Sequence, residues 1–309
     1  MLKLPLISDN EVKMANPALN KPAHSALAGW LNGLLGVVIF SGSLPATRIA
    51  VLEMSPFFLT FLRASLAGLL AIVLVCALRE PRPQRAQLFP LLIVSCGVVI
   101  GFPLLTALAL QHVTSAHSIV FLGLLPLCTA IFAVLRGGER PKRAFWLFSL
   151  LGSLLVVAFA LAQSHAVSLT GDLLMLAAVI VCGLGYAEGA ALTRTLGGWQ
   201  MICWALILSL PVMLPAAWLM QPATLVDISA QAWGALGYVS LFSMLIGFIF
   251  WYNGLARGGI AAVGQLQLLQ PFFGLALSAL LLNERVSPLM LLVTLGVILC
   301  VIGSRKCAR

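Results

Sequence analysis

Ionised side chains are scarce in this chain. Only nine of 309 residues are acidic and charged residues make up 9% of the sequence, against about 25% in an average soluble protein. The acids lie mostly in loops, and no DxxxD, HExxH or GxSxG pattern occurs. Paired acids for a metal diphosphate and a catalytic histidine–acid set are therefore missing, which argues against a membrane-embedded transferase or any other enzyme. No Walker lysine motif is present, so direct drive by ATP is not expected. The seven cysteines form no CxxC or Cys/His metal spacing and fall mostly inside apolar runs, where cysteine is a small apolar filler. No cofactor and no metal are expected. Residues 1–26 lack a continuous apolar stretch and carry Lys3, Asp9, Glu11, Lys13, Lys21 and three prolines. They are expected to be a cytoplasmic tail rather than a signal peptide.

What fills the chain instead is apolar. Hydrophobic residues account for 61% and the mean hydropathy is +1.07, more than a soluble core of this size needs, so the lipid bilayer is the expected surrounding. A helix crosses about 30 Å of hydrocarbon with about 20 apolar residues. Apolar runs between charges and turn residues give ten such spans, near 27–48, 56–78, 88–110, 117–135, 143–162, 171–192, 199–220, 233–255, 261–282 and 287–304. Pro81, Pro83, Gly137-Gly138, Gly197-Gly198, Pro222 and Gly258-Gly259 punctuate the gaps.

The net charge of +9 does not point to nucleic acid, because the basic residues are scattered between apolar blocks. They follow membrane orientation. With the N-terminus in the cytoplasm, 15 of the 18 Lys and Arg fall inside, Arg48 and Arg285 fall outside, and Arg63 lies within the second span. A missed helix would invert everything after it. Both termini, including the short tail 305–309, are therefore expected in the cytoplasm, the protein being multi-pass in a bacterial inner (plasma) membrane.

Two stretches repeat at an offset of 145 positions. Ala109-Leu110, Ala116, Leu124-Leu125-Pro126 and Glu139-Arg140 return as Gly254-Leu255, Ala261, Leu269-Gln270-Pro271 and Glu284-Arg285. The offset joins span 4 to span 9 and span 5 to span 10, a shift of five spans. An odd shift makes the repeat inverted, which also accounts for Arg285 breaking the charge rule. The expected architecture is an all-α integral membrane protein of ten transmembrane helices. Two inverted five-helix repeats, 27–162 and 171–304, would surround a central cavity near the midplane. Pro126 and Pro271 lie about halfway along their spans, where proline frees the carbonyl four residues earlier, that of Leu122 or Gln267. Such a carbonyl must face protein, water or a ligand; the two prolines either kink helices for packing or open a site.

These residues resemble the EamA-type family of the drug/metabolite transporter superfamily. The resemblance rests on Leu125-Pro126 with Gly138-Glu139-Arg140 and on Gln270-Pro271 with Asn283-Glu284-Arg285. Phe61-Leu62-Arg63, Ala109-Leu110 with Ala116, and Gly171-Asp172-Leu173-Leu174 add to it. It covers residues 27–304 and implies a ten-helix carrier with a central cavity that exports or exchanges small metabolites. One departure is in span 1, where Phe40-Ser41-Gly42-Ser43 stands in place of the tryptophan the family often carries.

Polar residues inside the spans are the site candidates. Gln267 and Gln270 share a helix face and flank the proline break, whereas Gln265 is turned away; they contact either substrate or a neighbouring helix. Ser41 and Ser43 either line the cavity or allow close packing. Tyr186, Trp251 and Asn253 are candidates for a cytoplasmic gate, the aromatics alternatively forming an interfacial belt. Glu188 is the only acid well inside a span and is a candidate proton site, with Arg194 or Arg257 as alternative partners. Arg63 is expected to be structural, with attraction of an anion as the alternative. Glu139 and Glu284 are expected to fix their hairpins at helix N-termini. The partners are a small-molecule substrate and the bilayer; the sequence leaves open a homodimer, the coupling ion and the substrate. The expected function is a secondary transporter exporting or exchanging small polar or amphipathic, amino-acid-like metabolites by alternating access, with a channel or facilitator as the competing reading.

Overall fold

The computed structural model describes residues 23–113, 118, 121–163, 168–270, 272–274 and 288–307. All regular structure among them is helical. Helix α1 runs Ala23–Ser41 and, after a break at Gly42, continues as Ser43–Val51. It is followed by α2 (Pro56–Ala77), α3 (Arg85–His112), α4 (Leu125–Leu135) and α5 (Arg143–Gln163). Then come α6 (Leu169–Leu196), α7 (Gly198–Leu219), α8 (Ala230–Gly258), α9 (Ile260–Gly264, then a 3₁₀ turn Gln265–Leu269) and α10 (Pro288–Cys307).

Local chemistry sets the ends. Ser55, Ser168 and Ser229 accept backbone N–H groups of the first turns of α2, α6 and α8, satisfying donors a helix start leaves unpaired. Single-residue turns join α6 to α7 and α8 to α9, at Gly197 (φ 91°) and Gly259 (φ 98°). A side chain would strain that backbone.

Among the described residues, six helices are long and apolar enough to cross a bilayer: α1, α2, α3, α6, α7 and α8. Their outward faces carry large apolar side chains such as Val73, Phe89, Leu173 and Val212, and Leu147 and Leu292 do the same on α5 and α10. A water-soluble protein does not expose so continuous an apolar surface. The chain is an all-α integral membrane protein.

Helices pack across the two halves of the chain: α1 on α8, α2 on α7, α3 and α4 on α6, α4 on α9 and α5 on α10. The α1–α8 contact is backbone to backbone. Gly29 and Gly33 face Gly258 and Gly254, and Gly36 faces the backbone of Trp251, the small-residue spacing that lets membrane helices approach closely. The repeat is also visible in a local irregularity. A π-helical segment interrupts α3 at Ser95–Gly101 and another interrupts α8 at Val239–Ile246. The sequence offset of 145 carries the first onto 240–246.

Pro126 does not sit in the middle of a helix. The chain turns at Gly123 and Leu124, and α4 begins at Leu125, so Pro126 occupies the first turn. There its missing N–H has no helical partner to lose. Helix α9 tightens to 3₁₀ geometry, and the Gln267 carbonyl, expected to be freed, accepts the Gln270 N–H. Pro271 and Glu284, like Ala116 and Arg285, lie outside the described residues.

Arg48, one of the two cations at odds with the charge rule, donates to the carbonyl of Leu110 in the last turn of α3. Nearby, the Glu53 carboxylate accepts the Ser229 N–H (2.6 Å) and hydroxyl (2.7 Å), tying the α1–α2 turn to the start of α8. These bonds hold the Glu53 carboxyl below the usual carboxylate range. A depressed folded-state value gives stability that is present above the unfolded value and lost as pH falls through the folded one. Glu53→Gln is therefore expected to reduce the acid-induced fall in thermal midpoint in detergent between pH 6 and pH 3. An unchanged fall would show that the tie is energetically silent.

Candidate substrate cavity

A cleft opens between α1, α2, α3, α4, α6, α8 and α9. It extends toward the Glu53 side of the bundle, where it is lined by Thr47 about one turn from the end of α1, Arg63 two turns into α2 and Thr106 two turns before the end of α3. On the side facing Glu139 the cleft is closed by rings. Phe40 and Phe248 are 4.9 Å apart between centroids, and Tyr186 packs edge-on to Phe248 at 6.1 Å. Behind them Trp251 lies 5.4 Å from Tyr186, and Tyr252 5.6 Å from Phe248.

The polar wall is made by α1, α2 and α8. Ser43 donates to the Ser243 hydroxyl at 2.8 Å. Arg63 is 6% exposed. One of its terminal nitrogens reaches the Val239 carbonyl at 3.4 Å and the Ser243 hydroxyl at 3.5 Å, both at the long limit of a hydrogen bond. Its Nε is buried without a partner.

The three glutamines of α9 separate as their rotation requires. In 3₁₀ geometry residues three apart eclipse, so Gln267 and Gln270 share a side. Gln270 lines the cleft and donates to the Phe40 carbonyl at 3.3 Å. Gln267 is 1% exposed and lies beside the Tyr186 hydroxyl, with neither amide atom completing a hydrogen bond. Gln265 donates to Ser149 of α5 at 3.0 Å, away from the cleft.

Ser43 stands in the wall, whereas Ser41 bonds back to Val37 in its own helix. Of the residues flanking the proline break, Leu122 and Leu125 line the cleft; Pro126 is buried beside them but is not part of the lining. Tyr186 and Trp251 belong to the aromatic closure. Asn253 does not join them: it bonds to the Ile249 carbonyl and packs on Gly198, at the start of α7. Arg63, expected as a structural side chain, is placed in the cleft wall.

Ionic ties close the Glu139 end. Glu188 pairs with Arg136 through both carboxylate oxygens, at 2.8 and 3.2 Å, rather than with Arg194 or Arg257. Glu139 does not cap its own hairpin. Its two oxygens accept the N–H groups of Ile260 (2.6 Å) and Ala261 (2.8 Å), the first residues of α9, and Arg194 lies 3.6 Å away. The reason is geometric: the φ of 98° at Gly259 starts α9 with its amides bare beside the α4–α5 turn. Sequence reasoning missed Arg136, which looked like one of several orientation charges, and it missed Ser243 and Phe248. Ser240 and Ser243, three apart in an apolar span, were the available signal for a polar face on α8.

A lipid-embedded helical bundle with a partly polar cleft, walled by helices of both halves of the chain, defines a membrane transport protein. The sequence model of the EamA-like transporter family matches it twice, over residues 27–161 and 169–305. The chain belongs to this family. It is 61% identical over 281 residues to the "Uncharacterized transporter YdeK" of Bacillus subtilis (strain 168), covering 91% of this chain and 98% of that one. It is 22% identical over 270 residues to an "Uncharacterized transporter" of Archaeoglobus fulgidus, with 86% and 91% covered. A crystal structure at 19% identity shares the fold, with a TM-score of 0.73 over 92% of this chain and 98% of the other. Family and relatives mark the chain as a transporter rather than an enzyme.

Proposed function

We propose that the protein is a secondary carrier that exports or exchanges small polar or amphipathic, amino-acid-like metabolites by alternating access. In this reading the helices are ten transmembrane spans in two inverted repeats, and the Glu139 end faces the cytoplasm of a bacterium whose plasma (inner) membrane holds the protein. The observation that carries the proposal is the one-sided cleft: space beside Ser43, Arg63 and Gln270, with packed aromatic rings and ionic ties closing the other end. A channel needs a continuous path, and the aromatic closure interrupts it.

Support for the inverted repeat comes from the coincident π segments and from the packing pattern. Exchanging each helix for the one five places along turns the α1–α8 contact into the α6–α3 contact and leaves α2–α7, α4–α9 and α5–α10 unchanged. The 15-to-2 bias of Lys and Arg supports the orientation.

Purified protein in sealed proteoliposomes tests the mechanism. A carrier gives saturable counterflow with acceleration by trans substrate. A channel gives flux without that acceleration, and an enzyme moves nothing. Glu188 is the proposed proton site, because protonation would neutralise the carboxylate that ties α6 to Arg136. Glu188→Gln is expected to abolish the pH dependence of counterflow. If transport and its pH profile are unchanged, proton coupling through this residue is refuted.

A further inference from the structure

We infer that Arg63 is the anion-binding residue of the cleft, and that the transported solute presents a single carboxylate to it. The inference rests on the carrier reading and narrows its substrate class.

Arg63 is the only charged side chain among the described residues that line the cleft. Among the described residues no carboxylate lies within ion-pairing distance of it, whereas Arg136 holds Glu188 at 2.8 Å. A guanidinium carries five N–H donors in a rigid fork. Here one terminal nitrogen makes both recorded contacts, at 3.4 and 3.5 Å, and Nε has none. An arginine serving only to brace α2 against α8 would be expected to saturate its donors, because a buried cation without partners is costly. The unpartnered Nε and the uncompensated charge instead stand in the wall of the cleft. The fork of Nε and a terminal nitrogen matches the two oxygens of a carboxylate.

The surroundings fix the charge and shape of the solute. One guanidinium, with no second cation among the described lining residues, balances one negative charge, which favours a carboxylate over a doubly charged phosphate ester. Hydroxyls of Ser43 and Ser243 stand beside the guanidinium, and the Phe40, Tyr186 and Phe248 rings lie deeper. A carboxylate held at Arg63 would direct an apolar body onto those rings.

The charge can be read without knowing the solute. In a chain with its seven cysteines replaced, Ser43→Cys places one thiol in the cleft. Its labelling is compared for an anionic methanethiosulfonate carrying a sulfonate and a cationic one carrying a trimethylammonium, each corrected for its rate with a free thiol. The anionic reagent is expected to react about tenfold faster, with the preference lost in Arg63→Gln and kept in Arg63→Lys. Equal rates, a preference that survives Arg63→Gln, or labelling by neither reagent would overturn the inference. The solute is then read from the culture medium of cells overproducing the protein, with the Arg63 variants matched for amount in the membrane. Compounds bearing one carboxylate, zwitterionic amino acids among them, are expected to rise, and Arg63→Gln to remove the rise while Arg63→Lys retains part of it. A rise only of compounds without a carboxylate, phosphate esters included, overturns the carboxylate assignment and leaves the carrier standing. No rise of any compound counts against the carrier itself, a result the thiol chemistry keeps separate from the charge of the cleft.

Discussion

Under the proposed alternating access, Glu139→Ala is expected to move the population toward the state open at the Glu139 end, by roughly thirtyfold. The substitution removes the acceptor for two backbone amides, Ile260 and Ala261, at 2.6 and 2.8 Å. It also removes the partner of Arg194. Hydrogen bonds to a charged group contribute about 1.5–3 kcal/mol each, and water partly replaces them when they are lost. The side chain of Glu139 keeps some contact with solvent, so about 2 kcal/mol for the pair is a reasonable net loss, and one or two kcal/mol is a factor of about 5–30. In the proposed mechanism the loss bears on opening rather than folding alone, because the carboxylate links the α4–α5 turn to α9, and these would separate for the cleft to reach that side. Spin labels on the ends of α4 and α9 would show a longer distance gaining weight in Glu139→Ala. Glu139→Gln, which keeps one acceptor oxygen and loses the charge, should fall between. Distance distributions identical in all three proteins would show that Glu139 is a cap without a gating role.

Gly254→Leu is expected to leave no folded protein in detergent, and Gly254→Ala to lower the thermal midpoint. A Cβ at this position would stand 2.6 Å from the Gly33 nitrogen and 2.7 Å from its Cα. Those atoms are backbone and cannot rotate away, so α1 and α8 must move apart along their whole contact. Overpacking a well-fitted interior costs about 1–3 kcal/mol where side chains can adjust, and here they cannot. The contact also holds Trp251 and Phe248 against Phe40, so separation would disturb the closure of the cleft. Gly237 provides the control. A Cβ there meets nothing within 4 Å, and Gly237→Leu is expected to fold like the parent. Monodisperse elution and an unchanged melting curve for Gly254→Leu would contradict the backbone contact.

Several features were legible before any coordinates. Apolar run length and the shortage of charge identify a membrane bundle because a bilayer accepts little else. The inner-gate candidates Tyr186 and Trp251 do meet, in one aromatic cluster. The separation of Gln265 from Gln267 and Gln270 follows from helical rotation and needs no tertiary contact. Other features were not legible. The partner of Glu188 is Arg136 and the amides served by Glu139 belong to α9; each pair is far apart in sequence and is set by how α4, α6 and α9 converge. Pro126 starts a helix instead of kinking one because the preceding turn ends the chain's helical path at Leu124, and sequence spacing does not distinguish those outcomes.

The sequence by itself determined the surroundings, the helical class and the duplication, because periodicity, hydropathy and charge bias act locally or along the chain. Only the tertiary structure decided that Arg63 looks into a cleft rather than out to lipid or solvent, and that the glycines of α1 meet those of α8. Both are properties of a surface built from distant helices, and the side of a helix that faces such a surface is fixed by packing rather than by composition.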